Sequence, residues 1–184
     1  VIIMTLTEMK KRTLALIEEI NKESKYLTDD IDIQEKINYV IDMIQNELAR
    51  IKKIAAVEEV EVTEGQEMNL YEDLDNFYKL ERITGVRFDM FQNNIKFEED
   101  GTTRISYYKY PKIIDSETID DEYEFELSQD CLEIMPYGVA ADLLKSDVSA
   151  QYGQVYANAY REKLSLLDTN TSSGIMEFKG GLNV

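Results

Sequence analysis

The sequence predicts an α+β fold: a helical bundle of about four helices with an inserted small antiparallel β subdomain and an extended C-terminal tail. Three observations predict it. Apolar residues recur at helical spacing over the first fifty residues, the period falls to two between about 57 and 110, and helical spacing returns after Ser128. The chain divides accordingly into an N-terminal helical pair (1–56), the β subdomain with an acidic connector (57–127), C-terminal helices completing the bundle (128–168) and a docking tail (169–184).

The first helix runs from Leu6 to Ile20, with Leu6, Met9, Leu16, Ile17 and Ile20 on one face and Thr13 completing the stripe. The second runs from about Asp32 to Lys53. Its stripe is Ile33, Ile37, Val40, Ile41, Ile44, Leu48 and Ile51, and Arg50, Lys52 and Lys53 suit its negative end. At 1.5 Å per residue it extends roughly 33 Å. The two are expected to pack as an antiparallel pair. In TDDIDIQE (28–35), Asp32 is expected to cap the second helix with Glu35 reaching back in a capping box, a reading preferred to a metal cluster.

In the β region, VEVTEGQEMNL (60–70) sets Val60 and Val62 against Met68 and Leu70 around Glu64-Gly65, as a hairpin does. NNIKFEEDGTTRISYYKY (93–110) repeats the pattern around Asp100-Gly101. FYKLERITGVRF (77–88) supplies one or two further strands. Tyr107, Tyr108 and Tyr110 could form a stacking platform, but mixed neighbouring charges favour cross-strand packing.

After Pro111 an acidic connector leads to EYEFELSQD, in which Tyr123, Phe125 and Leu127 alternate with Glu124 and Glu126 like an extended segment lying on a core. Ser128 is placed to cap the next helix, with Leu127 and Leu132 as a hydrophobic staple. That helix contains EIMPYGVAADLL (133–144), where Pro136 predicts a bend, or a short leading turn followed by a fresh helix start, and Gly138 lets another backbone approach there. A last helix, capped near Ser146, carries Tyr152, Val155, Tyr156, Ala159, Leu166 and Leu167 at helical intervals. The tail TNTSSGIMEFKGGLNV has linker composition around Ile175, Met176 and Phe178. Its expected seat is a partner or a neighbouring copy, the alternative being its own subunit.

Composition narrows the chemistry. At 184 residues, 43% apolar and 31% charged, the chain reads as one soluble globular domain. No apolar run approaches the roughly 20 residues a bilayer requires, and VIIM is too short for a secretion signal. The single Cys131 excludes an internal disulfide. Histidine is absent, so triads, imidazole bases and His-ligated metals are excluded, and no phosphate-binding glycine motif occurs. No cofactor or metal site is expected; a carboxylate-dependent metal hydrolase is the enzyme class left open. Net charge is −17, which disfavours gripping a phosphate backbone. No positive charge lies between Lys112 and Lys145, whereas Asp115, Glu117, Asp120, Asp121, Glu122, Glu124, Glu126, Asp130, Glu133 and Asp142 are acidic. The stretch reads as a solvated face, or as one that lets nucleic acid pass without sticking.

The order of elements resembles the head-to-tail adaptor (connector, head-completion) proteins of tailed bacteriophages. The resemblance rests on EFELSQDCLEIMPYGVAADLLKSD, AQYGQVYANAYREKLSLLD and KINYVIDMIQNELARIKKI, and covers most of the chain. It implies a non-enzymatic virion protein of the neck, made in the host bacterial cytoplasm. Such proteins form a ring, typically of twelve copies, under the portal protein, extending the DNA channel toward the next tail or stopper protein. DNA passes without sequence-specific binding, and no membrane is involved. By this resemblance Ile175, Met176 and Phe178 dock on the portal. Tyr152, Tyr156 and Tyr160, more than one buried stripe needs, are the subunit-interface candidates. The alternatives are another neck, tail-completion or capsid accessory protein.

Overall fold

The computed structural model describes residues 4–145 and 150–167. Along the chain these form α1 (Leu6–Leu16), α2 (Ile31–Ile51), β1 (Ile54–Val62), β2 (Glu67–Asn69), α3 (Leu70–Asp73), β3 (Phe77–Thr84), β4 (Phe88–Phe91), β5 (Asn94–Phe97), β6 (Gly101–Lys109), α4 (Gln129–Leu143) and α5 (Ala150–Ser165). The described residues therefore hold five helices and two three-stranded antiparallel sheets, an α+β fold. The expected bundle of about four helices with a single β insert is overturned on both its helical and its β side.

On the helical side, α4 is a hub. It packs on α1, α2 and α5, so the expected antiparallel pairing of α1 with α2 is replaced by packing of each on α4. The cause lies in the sequence of α4. Cys131, Leu132, Ile134, Met135, Val139, Ala140, Ala141 and Leu143 are all buried, so apolar residues occupy most of its circumference and need cover on several sides. α1 and α2 each offer one stripe, and burial of a single Ile41 or Leu48 side chain from α2 stabilises by about 1.5–3 kcal/mol.

Local signals set the helix ends. Thr5 caps α1, accepting from the Glu8 amide at 3.3 Å. The cap of α2 is Asp30, which accepts from the Ile33 amide at 3.1 Å, and not Asp32; Gln34 reaches back to the Thr28 carbonyl at 2.8 Å in place of the expected Glu35 box. α1 stops at Leu16, short of Ile20, because Glu18 adopts φ 60° and turns the chain. Ser128 stands at the N-cap position of α4 in extended conformation as expected, but its side chain makes no capping hydrogen bond; Leu127 and Leu132 are both buried. The expected cap at Ser146 lies outside the described residues.

On the β side, the two expected hairpins pair with each other rather than internally. β1 runs against β6 from Ile54↔Lys109 to Val62↔Gly101, and β2 against β5 from Glu67↔Lys96 to Asn69↔Asn94. The turns around Glu64-Gly65 and Asp100-Gly101 thereby meet at one corner: the Glu64 amide donates to Asp100 Oδ1 at 2.7 Å and the Gly65 amide to the Phe97 carbonyl at 2.8 Å. β1 and β6 are nine residues long, whereas β2 has only three, so the long ladder satisfies more backbone groups than either local hairpin could. The local hairpin that does form is β4 with β5, around Gln92-Asn93, with Gln92 at φ 55°. The sheet orders are β1-β6-β3 and β2-β5-β4, and Val62, Met68, Phe77, Ile95, Phe97, Ile105 and Tyr107 form their buried core.

The connector packs on the helical core. Tyr123, Phe125 and Leu127 are buried and alternate outward with Glu124 and Glu126, as the period-two pattern predicts. Leu6 donates its amide to the Tyr123 carbonyl at 3.0 Å and Phe125 to the Met4 carbonyl at 3.1 Å, which ties the connector to the start of α1. Among the described residues no helix is long and apolar enough to cross a membrane.

Candidate functional site: the face formed by α2, α4 and α5

α4 runs without interruption through Pro136, so no fresh helix start occurs there; Pro136 and Gly138 are both buried. What approaches Gly138 is a ring and not the expected backbone. A Cβ built on Gly138 would lie 2.9 Å from Cε2 of Tyr160 and 3.1 Å from Cδ2 and Cζ. Two residues singled out separately in the sequence, Gly138 as a bend and Tyr160 as an interface residue, are thus one contact between α4 and α5. Close backbone approach occurs instead at Gly153, whose added Cβ would lie 2.8 Å from the Leu144 carbonyl oxygen. Gly153, Ala157 and Tyr160 follow at helical spacing, a pattern of small residues leading to a ring that sequence reading passed over.

The three tyrosines of α5 divide by role. Tyr160 is buried in the helical core. Tyr156 is half-buried and its hydroxyl donates to the Leu16 carbonyl, satisfying one of the carbonyls that the end of α1 leaves unpaired. Tyr152 is exposed, and with Val155 it forms an outer apolar stripe on α5 that Leu166 continues just past the helix end. So one of the three expected interface tyrosines is exposed, while the other two pack within the subunit. Ile175, Met176 and Phe178 lie outside the described residues.

Between α2 and α5, over α4, lies a groove of about 1000 Å³. Met43, Ile44, Glu47 and Arg50 line it from α2, Gly138 and Ala141 from α4, and Gly153, Ala157, Tyr160, Arg161 and Leu164 from α5. Burial pushes the Tyr160 hydroxyl well above the ordinary phenol range, and the Glu47 carboxylate adds to the shift. That hydroxyl has no hydrogen-bond partner among the described residues. Lys145 pairs with Asp142 beside the groove.

The acidic run is only partly a solvated face. Asp120 pairs with Lys10 at 2.6 Å, Glu126 with Lys109, and Asp130 with Lys52. Burial pushes the Asp130 carboxyl up, but the hydrogen bond and charge of Lys52, the Ser128 side chain and the Cys131 amide together outweigh this and leave it below the usual range. Asp115, Glu117, Asp121, Glu122, Glu124 and Glu133 remain exposed. No group of three or more Cys, Asp or Glu side chains placed to hold a metal ion occurs among the described residues.

The strand tyrosines are used in packing. Tyr107 is buried and donates to Glu58 at 2.9 Å, Tyr108 donates to Glu81 at 3.2 Å, and the Tyr110 ring lies 4.8 Å from that of Tyr78. Apolar surface remains on the β4 strand, where Phe91 is 73% exposed beside Met90. No protein-family model matches this chain, and no match was found among curated proteins.

Proposed function

We propose that the protein is a non-enzymatic structural component of a tailed bacteriophage particle, a head-to-tail adaptor that forms a ring under the portal. The observation that carries this reading is the display of apolar side chains on two separate parts of one subunit: Tyr152 and Val155 on α5 with Leu166 just past its end, and Met90 and Phe91 on β4. A ring needs two different sticky faces per copy, because a head-to-tail contact closes only when one patch meets another. Aromatic and aliphatic residues are what such patches use.

The excess of acid supports the same reading, since a channel wall carrying negative charge lets DNA slide past without counterion-releasing contacts. Ile175, Met176 and Phe178 engage the portal protein in the assembled neck, and another face meets the next tail or stopper protein. The copy number of twelve comes from the family resemblance. Mixing the purified protein with portal rings tests the proposal, with a discrete larger ring expected by native mass measurement. A chain that stays monomeric and ignores portal rings sinks it. Localisation at another place in intact particles would assign it to the other neck, tail-completion or capsid accessory parts.

A further inference from the structure

We propose that the groove between α2 and α5 is the seat of this chain's own C-terminal segment in the free subunit, anchored by Ile175, Met176 and Phe178. The groove leaves apolar side chains partly uncovered: Ala157 and Leu164, both half-buried, line it over the buried Ile44, and Met43 at its lip is 56% exposed. At its floor the Tyr160 hydroxyl is buried near the exposed Glu47 carboxylate, and no hydrogen bond of good geometry satisfies it among the described residues. Buried polar groups are ordinarily satisfied. A backbone carbonyl laid along the groove would accept from that hydroxyl, which its raised titration range keeps protonated and able to donate.

Chain geometry supplies the occupant. α5 is itself a wall of the groove, and residues 168–184 continue from its end. Between that end and the first anchor stand Asp-Thr-Asn-Thr-Ser-Ser-Gly, a linker of turn-forming composition. Seven residues span up to about 25 Å, and the sixteen residues of α5 measure about 24 Å. The anchors can therefore reach any point along the groove by doubling back. Ile175, Met176 and Phe178 surround Glu177, and Arg50 and Arg161 line the groove without an ion pair among the described residues. The charged lining is mixed, with Asp42, Glu47 and Asp142 beside Arg50, Lys145 and Arg161, so the apolar anchors rather than charge fit the segment to the groove.

The test uses the full chain with methyl-labelled methionine, isoleucine and leucine. Cross-relaxation is expected from the Met176 methyl to those of Met43 and Leu164. Phe178→Asp is expected to abolish those cross-peaks and shift the Met43 and Leu164 resonances, whereas Phe178→Leu retains them; unchanged far-UV circular dichroism checks that the fold stands. A sample mixing labelled and unlabelled chains assigns the contacts to one chain. Unmoved Met43 and Leu164 resonances in Phe178→Asp would overturn the proposal. So would cross-peaks found only between chains, which would give the groove to a second copy. Portal protein is absent from this experiment, so its outcome is independent of the adaptor reading.

Discussion

The ring of Tyr160 lies on the bare Cα of Gly138, so close that a methyl group there would meet ring carbon Cε2 at 2.9 Å. Both residues are buried, and the ring cannot swing into solvent to make room. In an exposed helix, replacing Gly with Ala stabilises by about 1 kcal/mol. Here overpacking opposes that gain with about 1–3 kcal/mol. Gly138→Ala is therefore expected to destabilise by about 1 kcal/mol, seen as a lower urea midpoint. Restoring space with Tyr160→Leu in the same chain should return part of the helix-propensity gain.

Pro136 makes the opposite prediction. It sits eight residues into α4, where it removes a backbone donor and costs about 3 kcal/mol relative to Ala. Replacing it by Ala forfeits about two buried methylenes, roughly 1.6 kcal/mol at 0.8 each. Pro136→Ala is expected to stabilise the protein by about 1 kcal/mol, read as a raised midpoint with an unchanged denaturant slope. A loss of stability would mean that neighbours of α4 depend on the proline ring itself.

These two residues also show how much of the fold was legible. Periodicity placed α1, α2, α4 and α5 and the alternating connector, because each is a local pattern written in consecutive residues. The pairing of β1 with β6 was not legible. It depends on which of several nine-to-three-residue ladders satisfies more backbone, a comparison between distant segments. The central place of α4 could be read from its nearly continuous apolar surface, yet its contact with Tyr160 needs two helices placed in space. Gln45 escaped notice for a similar reason: it stands next to Ile44 in the buried stripe of α2 and reads as a polar interruption until its partners on the connector are known.

Asp130 ties the start of α4 to the end of α2 through Lys52. Its carboxyl titrates below the usual range because Lys52, helped by the Ser128 side chain and the Cys131 amide, outweighs burial, so these contacts contribute stability above the unfolded value of about 3.9. That contribution is lost as pH falls through the lower folded value. The side chain is 42% exposed, so solvent screening keeps the effect below about 1 kcal/mol. Asp130→Asn is expected to lower stability slightly at pH 7 and by less at a pH below the unfolded value of about 3.9. Urea titrations at the two pH values measure the difference.

Tyr123 predicts the alkaline limit. Its hydroxyl lies 2.7 Å from the Lys112 carbonyl and 2.9 Å from Gln45 Oε1, while Gln45 Nε2 donates to the same carbonyl at 2.8 Å and to Asp42 Oδ1 at 2.9 Å. Asp42 Oδ1 also accepts from the Ile114 amide at 2.9 Å, so α2 and the connector share one polar network around a fully buried glutamine. Burial pushes the phenol up to about 12, against the pull of Gln45 and with help from Glu126 and Asp42. The folded state thus holds this proton more tightly than the unfolded chain, whose tyrosine titrates near 10. Stability from this group is complete below about pH 10 and declines as pH rises toward 12. Tyr123→Phe removes the donor to the Lys112 carbonyl and is expected to cost about 1–3 kcal/mol at pH 7. Its loss of stability between pH 10 and 12 should be shallower than the parent's, measured by urea unfolding across that range. Parallel declines in the two proteins would assign the alkaline limit to other groups, of which Tyr107, also pushed up to about 12 and bonded to Glu58, is the first to test.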